Sequence, residues 1–215
     1  SFSKKPLFEQ AWKELYGYGE GGMIEWISGS NDGKVDRVDP DTLTCYTSFG
    51  EHKGDVVNII PPHHAGAIAK NAGLTNEKGW CPVDMLTMES SIQKDIYVVG
   101  DSCVHGDLPV YAAPKSAHSA ATQAKVAVGA IIARLNGLPN PEPFFVNTCY
   151  SITAPEWGFS VVHIYRVKDG KLVYIAEAGG ISPIDLPEEQ LKLQRKLESE
   201  YATGWLKNIM ADAFA

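Results

Sequence analysis

One stretch constrains the chain more than any other: residues 96–137, IYVVGDSCVHGDLPVYAAPKSAHSAATQAKVAVGAIIARLNG. Ile96 to Val99 is a short, β-branched apolar run, which reads as a buried strand. It stops at Gly100-Asp101. A loop containing Gly and Pro follows, and from about Ser116 an Ala-rich segment reads as a helix closed by Asn136-Gly137. Strand, Gly-Asp, loop and helix together form a device for holding a polar cofactor. Gly permits close backbone approach, a carboxylate at the end of a strand accepts hydrogen bonds from sugar-like hydroxyls, and the helix N-terminus offers free N–H groups with partial positive charge. On spacing alone an ordinary βα unit, with Asp101 as a turn residue, is an equal alternative.

A chain of 215 residues can build one large domain or two small ones. Its balance of 44% hydrophobic and 21% charged residues is that of a soluble globular protein. A net charge of −7 argues against nucleic acid, which needs a basic footprint, and permits a basic protein partner. The longest apolar stretch, Val126 to Leu135, is interrupted by Gly129 and Arg134, so no membrane span is expected. The opening SFSKKPLFEQ lacks the apolar core of a signal peptide. Cys45, Cys81, Cys103 and Cys149 form no CxxC, so neither a zinc site nor a thioredoxin-type pair is expected.

Taken in order, residues 6–16 place Leu7, Phe8, Ala11, Trp12, Leu15 and Tyr16 on one helical face. GYGEGG (17–22) fits G-x-G-x-x-G literally. It follows a helix and precedes a strand candidate, MIEWI, so a helix C-cap and loop explain it better than a dinucleotide site. Val35 to Val38 and Leu43 to Thr47 read as strands joined at Asp39-Pro40-Asp41-Thr42, and Asp55 to Ile60 as a further buried strand. A boundary is placed near Pro62. The adjacent His63 and His64 read as loop residues, Ala65 to Ala72 as a short helix, and Cys81 as a buried, inert thiol. The Pro-rich segment 138–143 marks a second boundary. Beyond it, Phe144 to Ile152, Phe159 to Val167 and Leu172 to Ala176 read as strands, the last two joined by a hairpin turn at 168–171. Leu186-Pro187-Glu188-Glu189 opens a helix running to about Ala213, with a break at Gly204. An antiparallel sheet with a terminal helix makes an α+β cap.

YVVGD with a Pro-Lys-Ser loop and an Ala-rich helix resembles the second FAD-binding motif of two-dinucleotide-domain flavoproteins. Together with IIPPHHAGAIAKNAGL, GWCPVD, ESSIQKDIYVVGD, NTCYSI and GWLKNIMADAFA, it resembles the flavoprotein subunit of flavocytochrome c sulfide dehydrogenase, a relative of sulfide:quinone oxidoreductases. The resemblance spans essentially the whole chain and corresponds to the C-terminal half of a family member. The fold it implies is α/β with an α+β C-terminal part. Residues 1–62 are then a remnant of the pyridine-nucleotide-like domain, 63–138 the C-terminal portion of the FAD domain, and 139–215 a flavin-capping domain of antiparallel sheet and helix.

The resemblance also implies roles. Gly100 and Asp101 hold the ribityl or pyrophosphate part of FAD. Ala113, Pro114, Lys115 and Ser116 lie at the pyrimidine end of the flavin ring, where a helix N-terminus stabilises negative charge. Trp205 walls the pocket. The 104–113 loop is several residues longer than the family pattern. Cys149, by its residues alone a buried strand cysteine, matches one half of a redox disulfide beside the flavin; its partner, the flavin attachment site and the true GxGxxG belong to the N-terminal half. The reaction implied oxidises sulfide at that disulfide and passes electrons through FAD to haem carried on a separate cytochrome c subunit, in the periplasm. The alternatives are a sulfide:quinone or pyridine-nucleotide-disulfide oxidoreductase, and a non-catalytic half-protein serving as an interaction module. Glu188 to Glu200 is too charged for bilayer docking, and the C-terminal His–Glu pair of the disulfide reductases is not seen.

Overall fold

The computed structural model describes residues 4–19, 21–104 and 114–214. The chain divides into two compact units, one built from Pro6–His63 and the other from Ser1–Lys5 with His64–Ala215.

In the smaller unit, helix α1 (Lys5–Tyr16) buries Leu7 and Ala11, one turn apart. The Trp12 ring lies 5.6 Å from Phe8 and 5.4 Å from Tyr18. Strands β1 (Arg37–Asp39), β2 (Thr44–Tyr46) and β3 (Glu51–Lys53) form an antiparallel meander. The β1–β2 turn is set by Asp39, whose carboxylate accepts from the N–H groups of Asp41 and Thr42 at 3.0 and 3.3 Å. Asp32 pins the β2–β3 turn in the same manner, accepting from Thr47 Oγ1 and the N–H groups of Ser48 and Phe49. α1 precedes Gly17, and after it comes a turn, in which the Gly22 N–H donates to the Gly19 carbonyl, spanned by a Tyr18–Ile24 bridge, so GYGEGG is not in a dinucleotide-binding context.

The larger unit begins with α2 (Ala67–Asn71) and a two-residue parallel pairing of β4 (Cys81–Pro82) with β5 (Cys103–Val104). Helix α3 (Ala117–Leu135) follows, with Ser116 as its N-cap and Asn136 as its C-cap. Then come β6 (Phe144–Ala154), β7 (Trp157–Lys168), β8 (Lys171–Tyr174) and β9 (Gly180–Ile181), an antiparallel sheet in which β7 pairs with the other three. Helix α4 (Glu188–Phe214) closes the chain, running through Gly204 without the expected break. Its carboxylate-rich first turn complements the helix dipole.

Val83, Met85, Met88, Cys103, Ala127, Phe145 and Tyr165 form the core of this unit. Met88 is fully buried, which contributes about 1.5–3 kcal/mol. α4 lies against β6 and β7. Gly158 makes that close approach possible: a Cβ there would stand 2.5 Å from the Ser199 amide nitrogen. α3 covers the open edge of β6. The Thr148 N–H donates to His118 Nδ1 at 3.0 Å, and Thr122 Oγ1 donates to the Val146 carbonyl at 3.3 Å. Two outward-facing backbone groups of an edge strand are thereby satisfied by helix side chains.

Three expected strands are not strands. Ile96–Val99 carries one bridge, Tyr97 to Glu89, and otherwise runs as irregular extended chain. Asp55–Ile60 begins with a bend and runs on without strand pairing among the described residues, with Val56 87% and Ile60 80% exposed. Met23–Ile27 makes only the Ile24 bridge. Each has a strand's composition, and each lacks a neighbouring strand to complete its ladder. β-propensity forms a strand only where a partner supplies the other half of the hydrogen bonds.

Candidate functional site

The site forms where the start of α3 meets β6. Gly100–Ser102 makes a single 3₁₀ turn. Gly100 has φ +75° and its N–H donates to Gln123 Oε1 at 2.6 Å, so the turn is tied to the second turn of α3. A Cβ at Gly100 would lie 3.3 Å from Ala120 Cβ, in a backbone region that glycine tolerates best. Asp101 is exposed, and its carboxylate accepts no hydrogen bond among the described residues. Its carbonyl accepts from Lys115 Nζ, which also donates to the Cys103 carbonyl at 3.1 Å. The ammonium stands 3.7 Å from the centre of the Trp80 ring. Burial pulls Lys115 below the ordinary lysine value, opposed by the nearby Cys103, Asp101 and Cys81 groups.

Pro114 leads through Lys115 into the N-cap. Ser116 Oγ accepts from the Ser119 N–H at 3.1 Å and donates its own proton to Asn147 Oδ1. Ser119 Oγ donates to the same Oδ1 at 3.3 Å. Asn147 is 1% exposed. Its Nδ2 donates to Cys149 Sγ at 3.1 Å. Strand alternation puts Asn147 and Cys149 on one face of β6. Lys4 adds a charge here: Nζ donates to the Cys149 carbonyl at 2.9 Å and to Ser151 Oγ at 2.7 Å.

Trp205 of α4 approaches from the other side, its ring 5.5 Å from His118 and 6.4 Å from Tyr150. His118 occupies the first turn of α3. Since the Thr148 N–H needs the Nδ1 lone pair, Nδ1 is unprotonated and the neutral ring carries its hydrogen on Nε2. Burial pushes His118 below the ordinary histidine value, and the Lys125 charge acts in the same direction.

Cys149 is half-buried, and all four cysteines are free. Cys81 and Cys103 face each other across the β4–β5 pairing. Desolvation raises both thiols, Cys103 to about 11, with the Lys115 charge opposing. They are poor nucleophiles at neutral pH.

The structure thus joins Gly100, Asp101, Lys115, Ser116, Cys149 and Trp205 into one region, while Ala113, with the rest of 105–113, lies outside the described residues. The sequence reading missed Asn147, His118, Gln123 and Trp80. Asn147 carried a visible signal: it is a polar residue two positions from Phe145 and two from Cys149, on the inward side of an alternating strand. Ser116 and Ser119 carried another, the spacing of a cap with its third helical residue.

What the arrangement offers is a helix N-terminus whose Ala117 and His118 amides have no partner among the described residues, an ammonium held by carbonyls, an exposed carboxylate and an aromatic wall, together with a free thiol. Those groups suit a flat, anionic, hydroxyl-bearing ligand handled next to sulfur chemistry. Among the described residues no cluster of His, Cys, Asp or Glu could hold a metal ion, and no helix is long and apolar enough to cross a membrane.

Two family models match the chain. Residues 141–214 match flavocytochrome c sulphide dehydrogenase, flavin-binding, which includes Asn147, Cys149 and Trp205. Residues 1–61 match the sulfide dehydrogenase [flavocytochrome c] flavoprotein chain, central. Asp101 to Ser116 fall between the two matches, so their place in the site rests on geometry. The matches together take in more than half of the chain, which belongs to the family of flavocytochrome c sulphide dehydrogenase flavoprotein chains.

Proposed function

We propose that this chain is the C-terminal portion of a flavoprotein that oxidises sulfide at a redox disulfide formed by Cys149 and passes the electrons to a cytochrome c subunit in the periplasm. The observation that carries the reading is the link Ser116–Asn147–Cys149, which sets a free thiol, itself inside the segment matched by the flavin-binding model, against the N-terminus of α3.

The residues fit FAD. Asp101 has a carboxylate that accepts no hydrogen bond among the described residues and so suits ribityl hydroxyls. Lys115 and the first amides of α3 suit the pyrimidine edge, where negative charge gathers. Trp205 supplies a flat apolar wall. FAD, when bound, supplies an acceptor that takes two electrons together and releases them singly. The chain's own part is to bind that edge, to exclude water with Trp205 and Tyr150, and to hold the Cys149 sulfur in place. Sulfide attack on one sulfur of the disulfide forms a persulfide and releases the other sulfur as a thiolate.

The partner cysteine and the adenine half of the FAD site belong, on this reading, to an N-terminal half of the same flavoprotein. Three apolar features support it. Val56 and Ile60 lie exposed in a segment of strand composition, Ile96–Val99 has one bridge where a buried strand needs two neighbours, and α3 leaves Val128 and Ile132 half-exposed. A helix apolar on nearly all sides is built to be covered.

The test is disulfide mapping in the complete, oxidised flavoprotein. Peptide mass spectrometry is expected to find Cys149 joined to a cysteine outside residues 1–215. Joining to Cys45, Cys81 or Cys103 would overturn the reading.

A further inference from the structure

Asn147 is a buried amide that spans the gap between the helix cap and Cys149. Ser116 Oγ accepts the Ser119 N–H, which leaves its own proton for another acceptor. Two acceptors stand within reach of that proton, Asn147 Oδ1 and the Ser119 hydroxyl at 3.2 Å, and Ser119 Oγ in turn donates to Oδ1 at 3.3 Å, so both hydroxyls gather on the carbonyl end of Asn147. The NH2 end is then turned the other way, onto Cys149 Sγ at 3.1 Å, while Oδ1 is 3.6 Å from that sulfur. As a thiol, Sγ can also donate to Oδ1; as a thiolate it can only accept, and its partner in this amide is then Nδ2.

We propose that Asn147 is the positioning residue for Cys149: it holds the sulfur in one place relative to the N-terminus of α3 and presents an N–H that stabilises negative charge on it. The inference rests on the reading of Cys149 as the redox sulfur. A hydrogen bond from an amide to an anionic acceptor is stronger than one between neutral groups, so the contact holds the sulfur most firmly when the disulfide opens and releases it as a thiolate. It also couples the two halves of the site. Ser116 touches both the helix amides and the amide that holds the sulfur, so a shift at the cap moves the sulfur with it.

The experiment measures alkylation by iodoacetamide in the reduced 215-residue chain at fixed neutral pH, with each cysteine followed by peptide mass spectrometry. Cys45, half-buried in the other unit, is the internal reference, and the buried Cys81 and Cys103 report folding through their protection. Asn147→Ala removes the donor, and Asn147→Asp replaces it isosterically with a negative oxygen. Both variants are expected to slow Cys149 at least about tenfold relative to Cys45, the aspartate more than the alanine, with Cys81 and Cys103 still protected. An unchanged Cys149-to-Cys45 ratio with protection intact would overturn the proposal. If both variants expose Cys81 and Cys103, the Ser116→Ala, Ser119→Ala double variant takes their place. It frees the amide to rotate, so the same slowing is expected, and an unchanged ratio is again fatal. The assay needs neither flavin nor turnover. A Cys149→Ser enzyme that loses turnover while the alkylation ratio ignores Asn147 would remove the role of Asn147 and leave the redox reading standing.

Discussion

At the scale of single residues, His118 ties local chemistry to stability. Its Nδ1 accepts the Thr148 N–H on the covered edge of β6, and protonation of that nitrogen breaks the bond. Burial lowers both His118 and His163, and the Nδ1 of His163 is buried without a partner among the described residues. The sign follows from proton counting. Below the ordinary histidine value of 6.5 the unfolded chain binds protons that the folded chain resists, so stability falls with acidification. Melting temperature is therefore expected to drop as pH is lowered from 7 through 6.5 and towards 5, and His118→Gln is expected to flatten that slope. A slope identical in the variant would show that His118 takes no part. The cysteines separate at the same scale. Cys81 reads as inert from its setting before Pro82, and the desolvated thiol bears that out. Cys149 looks like any strand cysteine until Asn147 and the α3 cap are seen beside it.

Among the elements, the contact of α4 with β7 turns on one missing side chain. Gly158→Ala forces a methyl group into the backbone at Glu198 and Ser199, where nothing flexible can yield. We expect it to cost about 1–3 kcal/mol, seen as a drop of roughly 2–12 °C in Tm for a unit of this size. A melting curve within a degree of the parent would mean that α4 is not held this closely. The sequence made α3, the β7–β8 hairpin and α4 legible, because caps, Asp-Gly turns and acidic first turns act within a few residues. Asn136-Gly137 ends α3 where expected, and Asp169-Gly170 turns the hairpin. It did not make legible β3, whose Glu51-His52-Lys53 has no apolar alternation, nor β9, two residues long; both exist because a neighbouring strand recruits them. The opposite error at Asp55–Ile60 and Ile96–Val99 has the same origin. Strand formation is decided by partners far along the sequence, and the local pattern reports only that a partner would be welcome.

For the whole molecule, the same deficit predicts how the chain handles its cofactor. Residues 96–104 and 114–116, with β6 and α4, supply one end of the proposed flavin site, and no described segment supplies a G-x-G-x-x-G between strand and helix for the pyrophosphate. Titration of the chain with FAD is expected to give a Kd weaker than micromolar, a binding free energy weaker than roughly −8 kcal/mol; submicromolar binding would refute the division of the site between two halves. The cap and the Gly-Asp turn were readable because they are local. Their junction with Cys149 was not, since Ser116 and Asn147 are 31 residues apart and meet only when α3 lies along β6. That junction carries the central claim, that sulfur chemistry at Cys149 feeds the flavin. The most direct measurement is sulfide-dependent cytochrome c reduction by the complete enzyme carrying Cys149→Ser, with flavin reduction by dithionite followed in the same sample. Turnover is expected to vanish while dithionite still bleaches the flavin, and turnover at the parent rate would contradict the claim.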